Sequence, residues 1–296
     1  MGFPANAWAL VKDTVTGFIA DNALSRGASI AYYTLFSIAP VLLIIVAIAG
    51  LAFGREAAQG AIVGQLSALM GEQTAKALEE MVKSADNRAA GIVATIVGIV
   101  ALIATATGVF GEVQSAMNAI WKAEPKSSTL SRLVRARLAS LGLVVTCGFL
   151  LTVSLAVSAG LQALSTYLKG IFPGADVALQ AFDFVASTAI ISGLFGAIYK
   201  VLPDKPITWR DVAIGALATT LLFDGGKYLI ALYVGQSNVA SSYGAAGALI
   251  VLLLWIYYTA QIFLLGAEFT HAFAIRHGSH AGGDAPDEER APRPTR

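Results

Sequence analysis

A chain of 296 residues that is 13% charged and 56% hydrophobic, with a mean hydropathy of +0.68, is not a soluble domain, in which roughly a quarter of the residues carry charge. A net charge of +1 gives no electrostatic ground for binding nucleic acid, and the single cysteine, Cys147, excludes an intrachain disulfide. The composition is that of an integral membrane protein, and the natural unit of description is the spanning segment.

The chain begins with an apolar stripe, Trp8, Val11, Val15, Phe18 and Ile19, at helical spacing. It predicts an amphipathic helix lying in the plane of the membrane surface, with packing against the bundle as the competing use of the stripe. Six stretches then reach the roughly 20 apolar residues needed to cross a bilayer: 28–53, 89–111, 138–164, 181–202, 212–234 and 245–275. The first starts too far into the chain, behind Trp8, Lys12, Asp13 and Arg26, for a cleavable signal peptide. Between the first two spans, residues 55–85 carry Ile62, Leu66, Leu69 and Met70, then Ala75, Leu78, Met81 and Val82, at helical spacing. These predict two amphipathic helices on the outer face, poised as a lid or resting on lipid or bundle. The basic run SRLVRARL, 131–138, is a headgroup contact rather than a nucleic-acid site. Residues 277–296, rich in Gly, Pro and charge, read as a disordered tail. The expected fold is therefore all-α: a polytopic domain over 1–276 with six transmembrane helices and amphipathic surface helices.

Lys and Arg sort unequally between the connections. One side holds Lys12 and Arg26, Lys122 to Arg137, Lys200 to Arg210, and the tail arginines, fourteen in all, against five on the other. Both termini are thus expected in the cytoplasm.

Charges inside spans are costly and face the bundle interior or a cavity. In the fifth span FDGGKYLIALYV places Asp224 and Lys227 three residues apart on one helical face, an ion pair, while Gly226 lines up with Gly215 and Thr219 on a small-residue face that admits a close neighbour. Asp183, in the same outer half, could complete a triad. On the cytoplasmic side Arg26 opens the first span, Glu112 closes the second, and the sixth carries a polar stripe of Tyr257, Gln261, Glu268 and His271. Tyr33 and Ser37 extend the first span's polar face, and Pro40 is expected to kink it by freeing the carbonyl of Phe36. Such layers suit either a gated pathway or an interhelical clamp, with snorkelling an alternative for Arg26, Glu112 and Lys200.

Enzyme signatures are missing from the sequence. The three histidines, His271, His277 and His280, form no metal-binding motif, and neither a P-loop nor a G-x-S-x-G elbow occurs. No metal, cofactor or nucleic acid is expected, and the chain reads as a non-enzyme.

The segments SRGASIAYYTLFSIAPVLLIIVAIAG (25–50), NAIW (118–121), YKVLP (199–203) and SSYGAAGALIVLLLWIYYTAQIFLLGAEFTHAF (241–273) resemble the YihY/BrkB family of bacterial inner-membrane proteins. The resemblance implies six spans with both ends inside. It also implies a link to virulence or serum resistance and to export of lipid precursors in some members, alongside an older name, ribonuclease BN. It supplies no catalytic residues. The leading expectation is a transporter or flippase-like permease for a lipid or other amphiphile, with membrane lipids as partners and self-association open. A non-transporting scaffold is the alternative, and a nuclease the weakest reading. With this topology, alkaline phosphatase fused after Gly278 is inactive and fused near Gly71 is active; the reverse pattern overturns the orientation.

Overall fold

The computed structural model describes residues 3–70, 75–76, 78–80, 108–123, 160, 175–236 and 245–278. All regular structure among them is helical. In chain order the helices are α1 (Phe3–Ala20), α2 (Ala23–Phe53), α3 (Arg55–Met70), α4 (Ala175–Val201), α5 (Trp209–Gln236) and α6 (Ala245–Arg276), and residues 108–120 are also helical. The first, fourth, fifth and sixth expected spans are thus α2, α4, α5 and α6. Apart from residues 108–111 and 160, the second and third lie outside the described residues, as do 279–296. Phe184–Val201 in α4 and Leu249–Arg276 in α6 are long and apolar enough to cross a membrane. At 1.5 Å per residue, α2, α5 and α6 are about 42–48 Å long, more than a bilayer core requires.

The last helix is the hub: α6 packs against α5, α2 and α1, while α4 packs on α5 and α3 on α2. Lipid offers no hydrophobic drive for helices to associate, so their backbones must approach closely enough for van der Waals contact. The α5–α6 seam achieves this with interlocking small residues. A β-carbon built on Gly215 would stand 1.8 Å from Thr270 Oγ1, one on Gly266 1.9 Å from Thr219 Oγ1, and one on Gly226 1.7 Å from Tyr258 Oη. Numbers rise along α5 as they fall along α6, so the two helices run antiparallel. The expected face of Gly215, Thr219 and Gly226 is the one applied to α6. Gly225, its neighbour in sequence, is exposed, and among the described residues nothing lies within 4 Å of a β-carbon built on it.

Tyr199 locks α4 into this seam. Fully buried, it donates to the Phe263 carbonyl of α6 at 2.7 Å and lies 3.0 Å from Thr219 Oγ1 of α5. One turn-pair further along, Ser192 donates to Thr220 at 2.9 Å. Hydroxyls at helix seams satisfy polar atoms that lipid could not. Leu217, Leu221, Leu222, Tyr228 and Leu229 of α5 and Leu249, Ile250 and Leu253 of α6 are exposed, as expected of side chains that meet acyl chains.

α2 continues through Pro40 as one helix and ends at Gly54, whose φ of 86° stops it. Beyond it, α3 folds back on α2. Leu78 and Ala75 are fully buried, Leu78 in a cluster with Leu42, Leu252 and Ile256 against which Ile62 packs. The apolar stripes of this segment therefore rest on the bundle at the described positions. A crevice between α2 and α3, lined by Leu42, Val46, Ile62, Val63 and Leu78, holds about 10 Å³, no more than one water requires.

The two glycines give opposed predictions. Gly225→Ala removes backbone entropy without a clash and should stabilise by about 0.5–1 kcal/mol. Gly215→Ala drives a β-carbon into the β-branched Thr270 and should destabilise by about 1–3 kcal/mol. Thermal unfolding in detergent checks both; shifts of the same sign would contradict the packing.

Candidate functional site

Polar groups concentrate where α1, the end of the 108–120 helix and the C-terminal turns of α6 meet. α1 stops at Ala20, and Asn22 turns the chain into α2 with φ 53° and ψ 39°, a left-handed conformation that Asn tolerates better than most residues. Arg26 reaches back, donating from Nε to the Asp21 carbonyl at 3.0 Å and from Nη1 to Ser115 Oγ at 3.3 Å. A cation on the last carbonyls of α1 is the favourable end of its dipole.

The helix that ends near Ile120 closes through Lys122, also left-handed at φ 47°. Its amide donates to Ala119 O and that of Ala123 to Asn118 O, the pattern of a Schellman cap in which glycine is usual. Lys122 forms an ion pair with Asp21. Asn22 and Lys122 are the two non-glycine residues with positive φ among the described residues: one follows Asp21 in the chain, the other is its partner.

Against the pair lies Glu268 of α6, 2% exposed although ionisable. Gly17 of α1 makes room for it: a β-carbon there would stand 2.5 Å from Glu268 Oε2. The Glu268 carboxyl neighbours that of Asp21, with Lys122 close to both. Two facing carboxyls repel unless positive charge sits between them, a role the Lys122 ammonium can fill. Glu268 Oε1 is buried without a hydrogen-bond partner in the described residues. An uncompensated buried acceptor is costly and calls for a functional explanation.

Around this node the motif segments supply cross-links. Asn118 Nδ2 donates to Asp204 Oδ2 at 2.8 Å and the Asp204 amide to Asn118 Oδ1 at 2.9 Å. Trp121, fully buried, stands edge-on to His271 with ring centroids 5.1 Å apart. Thr208, just before α5, donates to Asp211 Oδ2 at 2.8 Å, and an acid in the first turn suits the helix dipole.

The expected polar stripe of α6 is divided among several neighbours. Gln261 donates to the Leu24 carbonyl at 3.3 Å beside Gly27 of α2, Glu268 faces α1, His271 faces Trp121, and Tyr257 packs on the cluster of Leu42, Leu252 and Ile256. In α2, the Tyr33 ring lies on Gly108, and Ser37 donates to the Thr34 carbonyl of its own helix. Glu112 is half-buried. The side chains of Asp183 and Pro40 lie outside the described residues.

Asp224 and Lys227 form the second layer. Lys227 Nζ lies 2.7 Å from Asp224 Oδ1, and the side chains keep 29% and 18% exposure for Lys227 and Asp224 respectively. The ammonium also sits 5.4 Å from the centre of the Phe223 ring. Matching the α5–α6 contacts puts this pair level with residues 258–261 of α6, about 10–15 Å along the axis from Glu268. Asp21, Lys122, Asn118, Asp204, Tyr199 and Thr219 were not singled out by sequence as site residues. For Asn118 and Tyr199 a signal existed in the NAIW and YKVLP segments; for Asp21 and Lys122, 101 residues apart, periodicity offers none.

Comparison with known proteins gives the lineage. A 26% identical UPF0761 membrane protein of Psychrobacter sp. aligns over 88% of this chain and 47% of its own length. Another from Klebsiella pneumoniae is 35% identical over 60% of this chain and 59% of its own. One from Alteromonas mediterranea is 28% identical over 90% of both. The chain thus spans about half the length of the first two relatives. No solved structure matches it. The family model described as virulence factor BrkB matches residues 14–292, and the chain belongs to that family of membrane proteins.

Proposed function

We propose that the protein is a permease of flippase type, moving a lipid or another amphiphilic component of the envelope across the bacterial inner membrane. In this reading it has six spans with both termini in the cytoplasm and performs no bond-breaking chemistry. The observation that carries it is Glu268, an almost wholly buried acid on an apolar helix, with an oxygen that has no partner among the described residues and an aspartate–lysine pair beside it whose lysine is left-handed. Ionisable groups enclosed within a membrane bundle usually mark a pathway for ions or substrates. The Asp224–Lys227 pair, partly exposed and about 10–15 Å away along α6, supplies a second polar layer for an amphiphile's headgroup. The outer segment containing α3 covers the far end of α2 and α6 and would act as the lid.

The scaffold reading has its own support. Tyr199, Asn118–Asp204 and Asp21–Lys122 are cross-links between elements, and the α2–α3 crevice is almost filled.

Reconstitution separates the two. Purified protein in vesicles carrying fluorescent phospholipid in both leaflets should accelerate exchange between leaflets, measured by quenching of the outer leaflet. Glu268→Gln should slow exchange at least tenfold while unfolding at nearly the same temperature. Exchange indistinguishable from protein-free vesicles for anionic, zwitterionic and polyprenyl lipids would favour the scaffold.

The ion pair gives a second test. Asp224→Asn or Lys227→Met alone should destabilise by about 1–3 kcal/mol, between exposed and fully buried pairs, and the double variant should recover most of the loss. Equal melting of all three would show that the two charges act separately.

A further inference from the structure

The three faces of α1 have different uses. Taking about 100° per residue, Leu10, Thr14, Gly17, Phe18 and Asp21 form one sector. Thr14 is buried, Gly17 faces Glu268 and Asp21 reaches Lys122, so this sector is the seat on α6. A second sector, Asn6, Asp13, Thr16 and Ala20, is exposed and largely polar. The third is the stripe of Trp8, Val11, Val15 and Ile19, with exposures of 72, 51, 47 and 68%. These four residues span about 80° of the circumference and touch the bundle little, whereas Phe18, the fifth residue of the expected stripe, packs on the core, so the competing use as a packing face holds at that one position.

The angles between sectors decide how the helix can lie. The seat is about 105–115° from each of the other two, and stripe and polar sector are about 140° apart. A helix lying in the membrane plane against the flank of a bundle needs this order: bundle to the side, lipid below, water above. Its depth agrees. α1 crosses α6 between Glu268 and Arg276, where Asp13 pairs with Arg276, at the end of the apolar span Leu249–Arg276. Trp209, 66% exposed with Lys200 over its ring, begins α5 at the same end, the position of an interfacial aromatic.

We propose that α1 is a lipid-binding foot whose stripe inserts at the headgroup–acyl boundary of an anionic leaflet. Lys12, exposed at the border between stripe and polar sector, occupies the snorkelling position. The exposed Arg210 adds positive charge at the same end, so anionic headgroups are the complementary partner. The stripe continues in Leu24, Tyr32 and Phe36, exposed at 56, 59 and 55% along α2, joining it to the lipid-facing surface.

Nitroxide labels on the full chain in a Cys147→Ser background test this at positions 11, 15 and 19 of the stripe and 16 of the polar sector. The chain is reconstituted in vesicles of phosphatidylcholine with phosphatidylglycerol at a 7:3 ratio, or of phosphatidylcholine alone. In the mixed vesicles the stripe labels should collide more with oxygen than with a water-soluble nickel chelate, and the label at 16 should do the reverse. Lys12→Gln should shift the label at 15 toward water in mixed vesicles only. Stripe labels as open to nickel as position 16 overturn the proposal. So do stripe labels shielded from both reagents with dipolar broadening, the signature of a second copy on this face. An equal effect of Lys12→Gln in both vesicles overturns the anionic preference.

Discussion

Close approach of backbones along α6 is the constraint on which the described bundle depends. Helices in lipid gain little by hiding apolar surface from one another. Cohesion comes instead from contact without gaps and from polar atoms paired across seams. On α6 both occur together: Thr270 fills the space over Gly215, Thr219 that over Gly266, and Tyr258 that over Gly226, while Tyr199 bonds the Phe263 carbonyl. α4 has no comparable seam with α6 and is held through α5. A β-carbon in the wrong place would therefore loosen two helices.

The same device brings charge inside. Gly17 is to Glu268 what Gly215 is to Thr270: the missing side chain lets a neighbour's polar group lie against the helix. At Gly17 the guest is an acid, and its neighbours are another acid and a lysine. The two left-handed residues beside it, Asn22 and Lys122, fix where the chain turns, one just after Asp21 and the other at its partner. A left-handed lysine is unfavourable by about 1–2 kcal/mol where glycine would be easier, and this cap sets its ammonium against Asp21 and beside Glu268.

Helical periodicity made legible whatever depends on one helix alone. The apolar runs became α2, α4, α5 and α6, and the spacing of Asp224 and Lys227 placed them in reach of one another. The face of Gly215, Thr219 and Gly226 could be named because small residues in a line permit only one use. Partners on other helices were not legible. Tyr257, Gln261, Glu268 and His271 share a face of α6, but that face borders several elements, and a wheel drawn from one helix cannot divide it. Nor could the stripe of α1 be assigned between bundle and lipid, since both accept Trp, Val and Ile. What separated them was the position of Thr14, Gly17 and Asp21, the residues that take the bundle side.

If α6 is the hub, its amides should open last. Hydrogen exchange of the full chain in detergent, read by mass spectrometry, measures this directly, because protection follows the free energy of local opening. Peptides covering 258–270 should exchange slowest among those from the described helices, with α1 and α3 exchanging well before them. Exchange of 258–270 at the rate of α1 would contradict a bundle organised around α6.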